Sequence, residues 1–197
     1  MNDERRYRIA VWIVIASEAL LFAGLFALYA TYRSEYTATF EAGVRDDIQW
    51  IGGVNTILLL TSSFAIAWAI HQVRADRPHG AALSLAAVLA LGLAFLGLKL
   101  LEWSQHISEG IVPGLAYAGP DHGPGTSLFF TLYYGMTGLH ALHVVAGLAL
   151  VAWIFVRVRR RRVTPEHHLS LELVALYWHF VDAVWVFLWP MFYLMHG

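Results

Sequence analysis

Cysteine is absent from the chain, which excludes a disulfide scaffold, a thiolate metal site and a cysteine nucleophile, and leaves the redox compartment unread. Charge is scarce too. Charged residues make up 14% of the sequence, where a soluble domain carries about 25%. A formal net charge of −1 supplies no global basic field for nucleic acid. What is abundant is apolar surface: 58% of the 197 residues are hydrophobic, and the mean hydropathy is +0.57. That balance argues against a water-soluble globule, and it excludes disorder, which needs low hydrophobicity and high charge. The 8 Trp, 9 Tyr and 11 Phe suit helix interfaces and the headgroup belts of a membrane protein.

Five apolar stretches are long enough to cross a bilayer core, which needs about 20 residues per helix. They run over residues 9–32, 51–72, 81–103, 126–156 and 170–195. In lipid the backbone must satisfy its own hydrogen bonds, so these stretches are helices. The short alternating segments of a membrane barrel are missing. The fold class expected is all-α, a polytopic membrane protein with five transmembrane helices in one bundle, and residues 1–197 form a single transmembrane domain. The first span is not expected to be a cleaved signal peptide, because its apolar region is too long and carries Glu18. No repeat period is visible. Breakers mark the connectors, among them Arg77-Pro78-His79-Gly80, Val112-Pro113-Gly114 and Gly123-Pro124-Gly125.

Arginine placement sets the expected orientation. Arg5, Arg6 and Arg8 precede the first span, Arg74 and Arg77 follow the second, and Arg157, Arg159, Arg160, Arg161 and Arg162 follow the fourth. These ten share one side, against Arg33 and Arg45 on the other. The positive-inside rule then puts the N-terminus in the cytoplasm and the C-terminus outside. The arginine run reads as a topological anchor, with a contact to anionic lipid or nucleic acid as the alternative.

Ionisable groups inside a bilayer are costly and mark function or helix contacts. Glu18 lies near the middle of the first span, where its carboxyl is expected to be protonated or hydrogen-bonded to a neighbour, either as a proton-handling group or as a packing lock. Lys99 and Glu102 are three apart, share a helix face, and are expected to form an ion pair at the outer interface. His140 and His143 have the same spacing and could hold a transition metal. With Glu102 they resemble part of a di-metal bundle, but such a site wants several Glu and Glu-x-x-His pairs, and no helix supplies one. Hydrogen bonds to carboxylates on facing helices are therefore expected instead. In the last span His179 and Asp182 share a face and could bond each other, and Glu172 lies two turns earlier. The residues that define this polar seam are Glu18, Glu102, His140, His143, Glu172, His179 and Asp182. Gly92, Gly97, Gly135, Gly138 and Gly147 are expected to allow close helix packing. The physical reading ends at a five-helix membrane protein without a Walker motif, a nucleophile elbow or a haem ligand set.

Beyond that point the motifs carry a resemblance. The ending Tyr177-Trp178-His179-Phe180-Val181-Asp182-Ala183-Val184-Trp185-Val186-Phe187-Leu188 resembles the last-helix signature of subunit III of the haem-copper respiratory oxidases. Thr137-Gly138-Leu139-His140-Ala141-Leu142-His143-Val144-Val145-Ala146-Gly147 resembles that family's two-histidine helix. Ser17-Glu18-Ala19-Leu20-Leu21-Phe22-Ala23-Gly24-Leu25-Phe26 resembles the helix with its buried glutamate. Asn55-Thr56 before a leucine run and Lys99-Leu100-Leu101-Glu102-Trp103 complete the order, which covers residues 9–196. The chain lacks the first two spans of the seven-span long form and matches the five-span form of many bacterial oxidases. In the long form those two helices make a cleft for structural lipids.

The resemblance implies a non-catalytic subunit III of a bacterial cytochrome c oxidase in the cell (inner) membrane. It would support oxygen reduction and proton pumping by subunits I and II in aerobic electron transport. Subunit I is the implied main partner, with subunit II, other respiratory-complex subunits and membrane lipids, and no nucleic acid. No catalytic, cofactor or metal residues are implied in this chain. Haem and copper would sit in the partner subunits, and a structural phospholipid is the one ligand left open. The alternatives are subunit III of a quinol oxidase, a relative associated with nitric oxide reductase, and, from a different class, a small membrane transporter or proton channel. A co-purifying haem-bearing partner separates the oxidase readings from transport by the isolated chain. The topology is checked by reporter fusions: one after residue 162 is expected to report the cytoplasm and one at residue 197 the outside. Two cytoplasmic reports would overturn the five-span arrangement.

Overall fold

The structure, a computed structural model, describes residues 3–114 and 117–195. Among the described residues the chain is helical, with six α-helices: α1 (Asp3–Glu35), α2 (Thr37–Asp46), α3 (Gln49–Arg74), α4 (Pro78–Ser108), α5 (Thr126–Arg159) and α6 (Leu169–Tyr193). Five of these are long and apolar enough to cross a membrane, and α2 is the exception. The fold is an all-α membrane bundle. The helices outrun the apolar stretches at several ends because polar and basic residues continue the turn into the headgroup region. α4 begins at Pro78, whose missing N–H is harmless at the first helical position, and α5 continues to Arg159.

α3 and α4 are joined by a tight turn. Asp76 takes φ +52°, and the Asp76 and Arg77 amides close back on the Val73 and Gln72 carbonyls at 3.0 and 2.9 Å. This is the Schellman closure that satisfies the last carbonyls of a helix. α5 ends the same way: Arg161 has φ +52°, and the Arg161 and Arg162 amides bond the Val158 and Arg157 carbonyls, both at 2.9 Å. Neither position holds glycine, the residue that takes this conformation without strain.

α3, α4, α5 and α6 pack as a closed ring, each against its two neighbours. α1 lies outside the ring against α6 and α5, and α2 bridges α1, α5 and α6 at the end opposite the arginine run. Hydropathy alone does not mark α2, because it is short and half polar. Its fully buried Phe40 and Val44 nevertheless anchor it, with Phe40 edge-on to Phe129 at 5.2 Å.

Trp178, fully buried on α6, organises the ring. Its indole N–H donates to Ser62 Oγ on α3 at 2.9 Å. Its ring fills the space left by two glycines: a Cβ on Gly92 of α4 would lie 3.0 Å from the indole, and one on Gly147 of α5 would lie 2.8 Å from it. Those two glycines do the close packing that the sequence suggested. Gly97 and Gly135 do not, because they are exposed on outward faces where an added Cβ would meet no atom within 4 Å, and Gly138 would meet only Trp103 at 4.0 Å. Gly147→Ala is therefore expected to destabilise the bundle by about 1–3 kcal/mol, since a buried indole held on two sides cannot move away. Gly135→Ala should instead be neutral or stabilising by up to about 1 kcal/mol from helix propensity. Unfolding of both variants in mixed micelles checks the contrast.

Candidate functional site

The polar side chains within the spans gather at three levels of the bundle. At the arginine-rich end, Glu172 of α6 receives Arg74 of α3 at 2.6 Å, Arg8 of α1 at 3.2 Å and His168 at 3.1 Å. The carboxylate is about a fifth exposed, and it ties three helices together at the membrane boundary. Its sequence neighbours do not reveal this, because the partners lie 98 and 164 positions away.

Midway along the span, Glu18 of α1 meets His143 of α5, Oε2 to Nε2 at 3.1 Å. His143 Nδ1 lies 2.8 Å from the Leu139 carbonyl oxygen, which can only accept, so Nδ1 carries a hydrogen. The contact between Nε2 and Oε2 then needs one further proton, on either the imidazole or the carboxyl. In both arrangements the pair as a whole is neutral. Glu18 is 29% exposed at its side chain, on the outer surface of the bundle. His143 thus has the carboxylate partner expected for it.

His140, one turn away, does not. It is fully buried between Phe95 and Trp185, at ring distances of 5.6 and 5.3 Å, and neither ring nitrogen has a hydrogen-bond partner among the described residues. The i, i+3 spacing set the two histidines on adjacent faces, so one reaches α1 and the other the aromatic interior. Among the described residues no cluster of three or more His, Cys, Asp or Glu could hold a metal.

At the end opposite the arginine run, Lys99 and Glu102 of α4 pair at 3.2 Å. They do not sit at the interface, where the sequence suggested, but inside the ring, 1% and 0% exposed. Two tyrosines complete the cluster. Lys99 Nζ donates to Tyr133 Oη of α5 at 3.0 Å and to Tyr193 Oη of α6 at 2.7 Å. Both hydroxyls donate in turn to Glu102 Oε1, Tyr193 at 2.6 Å. The ammonium also lies 4.8 Å from the Tyr133 ring centre and 5.5 Å from that of Trp185. Next to it, Asp47 Oδ1, just past α2, is 3.5 Å from His106 Nε2 of α4, and both residues are buried. Sequence reasoning passed over Tyr133, Tyr193, Asp47 and His106. No local pattern marks a tyrosine or an aspartate as the partner of a residue on another helix.

The last span holds a third arrangement. His179 Nδ1 is 2.5 Å from Ser63 Oγ of α3 and is not bonded to Asp182. Asp182 is 3% exposed, beside the Ser63 hydroxyl of α3. Trp185 Nε1 donates to Thr56 Oγ1 of α3 at 3.0 Å. The hydroxyl row on α3 (Thr56, Ser62, Ser63) thus receives α6, a role that the sequence did not signal.

The buried Lys99–Glu102 pair generates a direct test. Lys99→Met strands an uncompensated carboxylate in the ring and should cost about 3–5 kcal/mol. Adding Glu102→Gln should recover most of that loss, because two neutral groups need no counter-charge. Thermal unfolding of the single and double variants in detergent checks the sign.

Comparison with known proteins places this arrangement. A family model described as "Cytochrome c oxidase subunit III" matches residues 3–196. The chain is 30% identical over 186 residues to a quinol oxidase subunit 3 of Bacillus spizizenii, covering 93% of this chain and 84% of the relative. It is 31% identical over 198 residues to a cytochrome c oxidase subunit 3 of Synechocystis sp., covering 98% and 76%. It is also 30% identical over 184 residues to a cytochrome c oxidase subunit 3 of Bacillus sp. strain PS3, covering 93% and 83%. The chain belongs to the cytochrome c oxidase subunit III family of the haem-copper oxidases.

Proposed function

We propose that the chain is the non-catalytic subunit III of a bacterial cytochrome c oxidase, acting as one transmembrane unit over residues 1–197. It packs against subunit I in the cell (inner) membrane, with subunit II in the same complex, its N-terminus cytoplasmic and its C-terminus outside. Oxygen reduction and its haem and copper chemistry belong to the partner subunits. The family match over nearly the whole chain carries this reading. The ten arginines at one end of the bundle support the orientation. A quinol oxidase subunit 3 is the second reading, supported by a relative of that name at 30% identity.

Partner contact through α1 and α3 is supported by what those helices leave uncovered. Only 11% of the most apolar stretch of α1 is buried. Glu18 and the Ser17 hydroxyl lie on that helix at mid-membrane, where contact with lipid is costly and a protein neighbour relieves it. On α3, Trp50, Val54, Ile57, Leu60, Phe64 and Trp68 form an outward apolar row. A structural phospholipid fits the groove of about 700 Å³ between α1, α5 and α6, whose walls include Val14, Leu150 and Val174 and whose basic end holds Arg157.

The neutral Glu18–His143 pair supports a proton-handling or structural role beside the catalytic subunit. Glu18→Gln removes the titratable carboxyl but keeps a hydrogen-bond partner for His143. In the assembled oxidase, reconstituted in vesicles, this variant is expected to retain most oxygen consumption. Its defect should appear in proton ejection or in the number of turnovers before inactivation. Complete loss of oxygen reduction in a fully assembled complex would overturn the accessory reading.

A further inference from the structure

We infer that the groove between α4 and α5 at the arginine-rich end binds an anionic glycerophospholipid, with Arg159 and Arg161 holding its phosphate. This groove is separate from the one between α1, α5 and α6. It encloses about 450 Å³. Its walls are Ala82, Leu83 and Ala86 of α4 and Phe155 and Val158 of α5, an apolar channel of acyl-chain character. Its mouth is formed by Pro78, His79, Arg159 and Arg161. One end is therefore suited to hydrocarbon and the other to a phosphate, in the order that a lipid in the bilayer presents them.

The charge at the mouth is uncompensated. Arg8 and Arg74 of the same end are occupied by Glu172, at 3.2 and 2.6 Å. Arg159 and Arg161 have no carboxylate partner among the described residues, and no carboxylate lines the groove. The exposed Arg159 guanidinium lies 5.8 Å from the Phe155 ring centre, beside the wall of the channel. Arg161 reaches the same mouth from beyond the helix end, from the left-handed position that closes α5. Arg159 from the helix and Arg161 from the turn thus line one mouth, and an arginine fork matches phosphate oxygens bidentately. Alternate members of the run do otherwise: Arg160 and Arg162 line a different depression, with Trp153 and Arg157. A simple topological anchor would need only the number of charges, whereas here their placement splits them between two surfaces.

The inference rests on the membrane reading of the fold and not on which oxidase the chain serves. The full-length chain is placed in nanodiscs of phosphatidylethanolamine with phosphatidylglycerol, and retained lipid is measured by native mass spectrometry after release. Phosphatidylglycerol should be retained over phosphatidylethanolamine. The Arg159→Gln, Arg161→Gln double variant should weaken that retention roughly thirty-fold, about 2 kcal/mol at 1.4 kcal/mol per decade, the scale of two interfacial arginines. Ala86→Phe, which fills the channel and leaves every charge in place, should weaken it as well. Arg160→Gln should leave this lipid bound. Equal loss with Arg160→Gln would mean that the run acts as diffuse surface charge, and would overturn the site. Indifference to Ala86→Phe, or equal retention of phosphatidylethanolamine, would overturn it too. If the double arginine variant fails to fold, the Ala86→Phe result decides alone.

Discussion

The only lysine in the chain lies in the middle of the helix ring, and the outer half of the bundle is built to neutralise it. An ammonium at 1% exposure in a low-dielectric interior is tolerable only when its charge and all its donors are met. Glu102 supplies the charge, and the hydroxyls of Tyr133 and Tyr193 take the remaining donors while passing their own protons to the same carboxylate. Three helices contribute, so α4, α5 and α6 cannot slide past one another without stranding the cation. This locking matters in lipid more than in water. Tails of lipid are as apolar as leucine, so greasy surfaces alone give helices little reason to choose one register.

The same logic repeats at the other levels with different chemistry. Glu172 gathers Arg8, Arg74 and His168 where water can still reach, and one carboxylate fixes the ends of α1, α3 and α6. Between those ends, α6 is fixed to α3 by indole donors on hydroxyl acceptors, Trp178 to Ser62 and Trp185 to Thr56. Each of these bonds removes a polar atom that would otherwise be unpaired in the core, at a cost of about 1–3 kcal/mol. Directional bonds therefore set the register, and packing such as Trp178 between Gly92 and Gly147 fills the space that the register creates.

How much of this is legible from residues alone follows the range of each interaction. The spans are legible because a bilayer demands about 20 apolar residues in a row, a purely local requirement. Lys99 with Glu102 is legible as a pair because both lie on one helix face. Its depth is not, since that depends on Tyr133 and Tyr193, 34 and 94 positions from Lys99. The same spacing rule fails for His179 and Asp182: sharing a face permits a bond, but Ser63 of α3 stands closer to the imidazole. His140 and His143 part ways for the same reason, as the neighbour on each side decides what an imidazole meets. Physics read from the sequence thus reached a membrane bundle with a polar seam. The family came from ordered motifs, which the match over residues 3–196 supports.

α1 is attached differently from the other spans. It packs outside the ring and buries little of its length, yet polar contacts hold it at both ends and at its middle. Arg8 reaches Glu172, Glu18 reaches His143, Tyr29 donates to the Met191 carbonyl at 2.6 Å, and Arg33 donates to the Met195 carbonyl at 2.9 Å. Arg8 and Arg33 are separated by about 37 Å along a helix at 1.5 Å per residue, which brackets a hydrocarbon core of about 30 Å. A helix clasped at these points needs no extensive packing to stay in place, and most of its apolar surface remains available to something other than this chain. Glu18 lies in the middle of that surface. A carboxyl there would be a liability against lipid, but its proton can be shared with His143 without creating net charge. The clasp that fixes α1 at mid-membrane thus also keeps that carboxyl from meeting lipid as a bare charge.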